Sequence, residues 1–140
     1  MGRVINTDSP GKRRNNLMRT SAELIRRLSQ KQEIDTDAKN MLALVVYCLR
    51  GIDETIDESA RAWEKRDYWI KAEEFRERWR WAGNGADELY AIVLQEQWQS
   101  LPGLMARLFP NFSDITINKY TRSESLWQGC YARLISEKPS

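Results

Sequence analysis

Apolar positions along this chain recur every three or four residues almost throughout, and no stretch of useful length alternates with period two. That pattern predicts an all-α fold. Leu17, Ser21, Leu24, Ile25 and Leu28 fall on one stripe, with Arg19, Arg26 and Gln30 opposite, so a first helix is expected from about Asn15 or Asn16. Lys31–Ile34 reads as a connection, and Asp35 or Thr36 can cap the next helix. The second helix carries Met41, Val45, Cys48, Ile52, Ile56, Ser59 and Trp63 at spacings of 4, 3, 4, 4, 3 and 4, the signature of a nearly straight rod. Its first half is apolar on other faces too, through Leu42, Leu44, Val46, Tyr47 and Leu49, and so should be covered on more than one side.

A reversal is expected around Glu64–Asp67, with Asp67 capping a third helix. Tyr68, Ala72, Phe75, Trp79, Ala82, Ala86, Leu89, Tyr90 and Val93 hold one face as far as Gln97. Residues 68–98 would span about 46 Å as one helix. Gly83-Asn84-Gly85 interrupts it in composition but not in phase, so a single kinked helix is expected. A short helix follows, with Ser100 as cap, Pro102 in its first turn, Leu101, Leu104, Met105 and Leu108 inward, and Pro110 as its stop. Asn111–Tyr120 reads as a loop anchored by Phe112, Ile115, Ile117 and Tyr120. The capping box Thr121-x-x-Glu124 then opens a last helix carrying Leu126, Trp127, Cys130, Tyr131 and Leu134. The expected architecture resembles a four-helix bundle: a long antiparallel hairpin flanked by shorter N- and C-terminal helices.

Composition fits one domain. The chain has 140 residues, 41% apolar and 30% charged, enough to form a core without disulfides or metals. Residues 15–140 are read as the bundle. Residues 1–14, nearly devoid of apolar side chains after Ile5, are read as a flexible basic arm. The net charge of +2 conceals an asymmetry, since residues 1–31 hold eight cations against two acids and the remainder is acidic. Such an arm can reach for phosphates or fold back on its own acidic surface. Cys48 and Cys130 form no CxxC pair and sit among apolar residues. No run is apolar enough for a membrane span, so a reducing cytoplasm is expected.

The chain contains no histidine, which excludes Ser/His/Asp and Cys/His nucleophilic sites, HExxH zinc sites and axial-His haem. No cofactor or metal is expected. Asp53-Glu54-x-x-Asp57-Glu58 offers i,i+4 carboxylates, but off the apolar stripe, as on a solvated face. Glu73-Glu74-x-x-Glu77 resembles the magnesium-binding EExxE of all-α nucleotide pyrophosphohydrolases. The ExxD that completes that pattern on the next helix is missing; Asn84-x-x-Asp87 lacks the Glu. A magnesium-dependent nucleotide hydrolase is therefore the weakest of three functional readings, and the balance is against catalysis.

Tryptophan is the unusual signal: six residues, five of them within residues 63–98. Trp81 lies roughly 160° around the third helix from Trp79. Ile70, Trp81 and Ile92, spaced by eleven and eleven, share that second face, with Trp69 and Trp98 on a third line. A helix with more apolar faces than a hairpin can cover suggests a protein interface, the alternative being that the first or last helix of the same bundle covers this face. The first reading is accordingly a non-catalytic, self-associating interaction or assembly module using Ile70, Trp81, Ile92, Trp69 and Trp98. Its expected partner is a second copy, with a dimer favoured, or another protein, and no membrane. The alternative is an accessory nucleic-acid binder using Lys12, Arg13 and Arg14 with the Arg76/Arg80 face.

Overall fold

Ser9-Pro10 starts the first helix five residues earlier than the apolar stripe predicts. A computed structural model describes residues 8–137; within it α1 runs Pro10–Ser29, and the Ser9 hydroxyl accepts from the Lys12 N–H at 3.1 Å. Proline at the first helical position has no N–H to leave unsatisfied. Lys12, Arg13 and Arg14 are thus helical and not part of an extended arm, whose residues 1–7 lie outside the described residues.

Helix α2, Thr36–Glu64, is capped by Asp35, which accepts from the Ala38 N–H at 2.8 Å. Met41, Leu42, Ala43, Val45, Val46, Cys48 and Leu49 are all buried, and this nearly all-round burial follows from cover on three sides. Helix α1 lies on one side of α2, α3 (Trp69–Leu94) on a second and α5 (Cys130–Ser136) on a third. Among the described residues the fold is all-helical, with the α2/α3 hairpin at its centre. Glycine permits the close approaches. A β-carbon at Gly51 would stand 2.8 Å from a Leu17 methyl, and one at Gly85 would stand 2.9 Å from a Leu108 methyl.

Helix α3 passes through Gly83-Asn84-Gly85 without a break. Its boundaries differ from expectation because left-handed residues bracket it. Asp67 adopts φ 63° in the tight reversal and cannot also present its carboxylate as a cap, so Tyr68 precedes the helix with no side-chain cap bond. Glu96, at φ 53°, turns the chain away after Leu94, short of Gln97. Helix α4, Leu101–Leu108, buries Leu101, Leu104 and Leu108. Ser100 precedes it but makes no side-chain cap bond, and a 3-10 turn at Phe109–Phe112 follows.

The Thr121-x-x-Glu124 motif does not cap a helix. Glu23, buried in α1, takes both groups of Thr121: the backbone N–H at 2.8 Å and the hydroxyl at 2.6 Å. It also accepts from the Arg122 N–H at 3.0 Å and from Arg19 Nε at 2.8 Å. Arg19 and Arg26 extend this clamp by donating to the carbonyls of Lys119 and Ile117, and Arg122 Nε donates to Thr20. The segment crosses α1 with a 3-10 turn at Glu124–Leu126 as its one helical piece among the described residues, and α5 starts only at Cys130, after Gly129 at φ 78°. Beyond it, the Tyr47 hydroxyl and Arg50 both donate to the Glu137 carboxylate, at 2.5 and 2.9 Å.

Burial alone would push the Glu23 carboxyl up. Hydrogen bonds from the Thr121 hydroxyl, the Arg122 N–H, Arg19 and the Thr121 N–H outweigh it and hold the carboxyl at about 2, below its ordinary 4.5. A folded-state value below the unfolded one contributes stability that is fully present above pH 4.5 and lost as pH falls toward 2. Glu23→Ala should cost about 1–3 kcal/mol, read as a fall in the urea midpoint, because it removes the acceptor of the part-buried N–H groups of Thr121 and Arg122 and of the Thr121 hydroxyl. The same variant should flatten the acid limb of stability between pH 4.5 and 2. A wild-type acid limb in that variant would show that Glu23 does not hold the segment.

Candidate interaction surface

At the α2/α3 reversal the chain turns outward. Trp63 closes α2 half-buried, its ring edge-on to Phe75 with centroids 4.8 Å apart. The next three large side chains have no such cover: Tyr68 is 46% exposed, Trp69 59% and Ile70 77%. They border a shallow concavity of about 800 Å³ with Trp63, Arg66 and Lys71. Arg66 lies over the Tyr68 ring at 5.0 Å and Lys71 over Trp63 at 4.8 Å, so the aromatic tip carries a cationic collar.

The other aromatics of α3 are consumed by the fold. Phe75, Trp79, Trp81 and Phe112 form a row with centroid separations of 6.4, 5.7 and 5.5 Å. Arg14 lies 4.9 Å from the Phe75 centroid and donates to Thr55 and Ser59, and among the described residues no carboxylate pairs with it. Desolvation, then the neighbouring Arg13, pull its proton affinity down.

The five interface residues expected from the sequence therefore separate. Ile92 is buried, Trp81 is half-buried against Phe112 and Trp79, and Trp98 is half-buried with Lys39 5.9 Å from its ring. Only Trp69 and Ile70 stand open. The Ile70–Trp81–Ile92 line is not one free face, because α4 folds back along α3, Phe112 in the turn after α4 packs against Trp81, and Ile92 is buried. Tyr68 was expected in the core. Lying outside the helix, in the reversal itself, it escapes the stripe that its spacing predicts.

Apart from Arg14, the basic residues of the nucleic-acid reading meet the chain's own acids. Arg13 pairs with Glu58 at 2.6 Å, Lys12 with Asp8 at 3.4 Å, Arg76 with Glu64 at 2.5 Å and Asp57 at 3.3 Å, and Arg80 with Glu77 at 2.8 Å. A nucleic-acid surface needs cations whose field reaches outward, and these are neutralised locally.

The carboxylates do not assemble either. Asp53, Asp57 and Asp87 border a groove of about 390 Å³ together with Arg76 and Arg80. Burial, then Asp57 and Asp87, push the Asp53 carboxyl up. Among the described residues no group of three or more His, Cys, Asp or Glu side chains is placed to hold a metal ion. Glu73 and Glu74 lie on the exposed outer face of α3. Cys48 and Cys130 are buried and unpaired, and burial pushes the Cys48 thiol up to about 12, out of nucleophilic range.

A second apolar feature escaped sequence analysis. Phe109, 60% exposed, stands beside a concavity of about 480 Å³ lined by Ile25, Leu28, Ile34, Leu101 and Met105. Its position just after α4 gives it no periodic partner that spacing could have flagged.

Comparison with protein-family models, with curated proteins and with solved structures finds no match to this chain. No helix among the described residues is long and apolar enough to cross a membrane.

In dilute protein, Trp69→Phe should remove the largest share of acrylamide-quenchable tryptophan fluorescence. Trp127→Phe should remove almost none, because that indole is buried and its Nε1 donates to Asp37 at 2.8 Å. Equal losses from the two variants would contradict the exposure assigned to the tip.

Proposed function

We propose that the chain is a non-catalytic helical module that associates with protein, and with further copies of itself, through the tip of its long hairpin. The observation that carries this reading is the run Tyr68-Trp69-Ile70. Three consecutive large side chains stand exposed at the end of a rigid pair of helices, while the other aromatics of α3 pack inside the fold. Exposed aromatics of this kind are the residues that anchor interfaces. Two free buried thiols suit a reducing compartment, and we place the protein in the cytoplasm.

The test is a Trp69→Ser/Ile70→Ser double variant. Both side chains are exposed, so stability should stay within about 0.5 kcal/mol of wild type by urea unfolding. In light scattering, the wild-type mass should rise with concentration and the variant should remain at the monomer mass. Equal association of the two proteins would remove the tip from the reading. A wild type that stays monomeric would remove self-association.

A further inference from the structure

The outer face of α1 carries cations that the chain's acids do not answer. From Asn16 to the end of α1, and along the segment 113–124 that crosses it, stand Arg19, Arg26, Arg27, Lys119 and Arg122 against Glu23, Asp114 and Glu124. Glu23 is enclosed, with none of its side chain exposed, and takes Arg19 at 2.8 Å and Arg122 at 3.8 Å. Among the described residues Arg26, Arg27 and Lys119 enter no ion pair; neither do Asp114 and Glu124, which mark the two ends of the crossing segment. Arg19 and Arg26 lie seven residues apart, on one face of α1 and about 10 Å along it. Both are fixed by backbone carbonyls of the same segment, Arg19 by Thr116 and Lys119 and Arg26 by Ile117 at 2.8 Å. A carbonyl orients a guanidinium without cancelling its charge, and each guanidinium has five N–H donors to distribute.

This cationic ridge ends on an aromatic. Arg26 itself lines a concavity of about 290 Å³ with Ala22, Ile25, Phe112, Ile117 and Phe109, the last of them 60% exposed. Apart from Arg26, no charged side chain lines it. We propose that α1 and the segment crossing it take a single-stranded nucleic acid, its phosphates on Arg19, Arg26 and Lys119 and one base against Phe109. This goes beyond the reading of the hairpin tip and does not rest on it.

Two features together choose this occupant. Cations in a row suit any polyanion, and an exposed aromatic suits any flat apolar group. A nucleotide joins an anion and a flat ring within one unit, and the fold brings Arg26 and Phe109 to one concavity. An acidic peptide or an anionic membrane would answer the cations, but neither couples each charge to a ring. A duplex keeps its bases stacked inside and offers Phe109 nothing, so the strand is single. Phosphate contacts carry no sequence information, so binding is sequence-tolerant. The ridge is separate from Lys12 and Arg13 in the first turn of α1, which pair with Asp8 and Glu58.

The test is fluorescence anisotropy at low salt with labelled oligo(dT) and oligo(U) of about 12 nucleotides, within the roughly 4–16 that such surfaces cover. Wild type should bind both, with log affinity falling against log salt at a slope of about −2, the value for three phosphates of a single strand. Arg26→Gln/Lys119→Gln should weaken binding roughly tenfold or more and flatten the slope to about −0.7. Phe109→Ala should weaken it roughly fivefold to a hundredfold and leave the slope unchanged. All three side chains are exposed, and urea unfolding checks that the variants are folded. Trp69→Ser/Ile70→Ser should bind as wild type does; loss of binding there would move the strand to the tip and overturn the proposal. Absence of binding at the lowest salt, or binding indifferent to Arg26 and Lys119, overturns it as well. Affinity that depends on the cations but not on Phe109 overturns the base contact. Polyglutamate or phosphatidylserine vesicles that compete as well as unlabelled strand, at equal charge concentration, would assign the ridge to acidic protein or lipid and overturn nucleic acid as its occupant.

Discussion

The structure is organised by one steric and solvational demand: α2 is apolar nearly all the way round its first half. A rod of that kind cannot be satisfied by a single partner, because any face left open would expose fully apolar side chains at about 25 cal/mol for each Å². Three helices answer it. Helix α3 covers the stripe that continues toward Trp63, α1 covers the side where Gly51 admits Leu17, and α5 closes the third side through Cys130 and Leu134. The return of the chain to deliver α5 obliges residues 113–129 to cross α1 with few helical bonds of their own. The buried carboxylate of Glu23 and the guanidiniums around it serve as the substitute backbone partners. The polar clamp is thus a consequence of the apolar rod.

That hierarchy explains which features could be read from the sequence. The long helices were legible, including the passage of α3 through Gly83-Asn84-Gly85, because apolar phase persists across a local breaker when both halves pack on one neighbour. The start of α1 was misplaced because it is fixed by the Ser9 cap and Pro10, while apolar periodicity begins only at Leu17. Thr121-x-x-Glu124 has the spacing of a capping box, yet its donors face Glu23, nearly a hundred residues away in sequence, and no local rule reports a partner at that range. Asp67 looked like a cap and instead occupies the left-handed position that the reversal demands.

The candidate surface was legible only in part, for a related reason. A helical wheel sees faces and not their ends. It identified the excess of apolar side chains on α3 and named Trp69 and Ile70, but it could not show that the chain's own return over α3 takes up Trp81 and Ile92 while the hairpin end projects past that cover. Charge behaves similarly. The basic N-terminal segment had two open destinations, and within the described residues it meets Glu58 and Asp8 of its own chain. Among the described residues Lys65, Arg66 and Lys71 at the tip enter no ion pair, and they stand beside the exposed aromatics.

The central claim is that the hairpin tip is a contact surface for a second copy. Backbone hydrogen exchange followed at two widely separated protein concentrations addresses it without any substitution. The account predicts that amides of residues 65–74 gain protection as concentration rises, while those around Phe109 and the clamp on Glu23 stay unchanged. Protection that is independent of concentration at the tip, or that appears at Phe109 in its place, would contradict it.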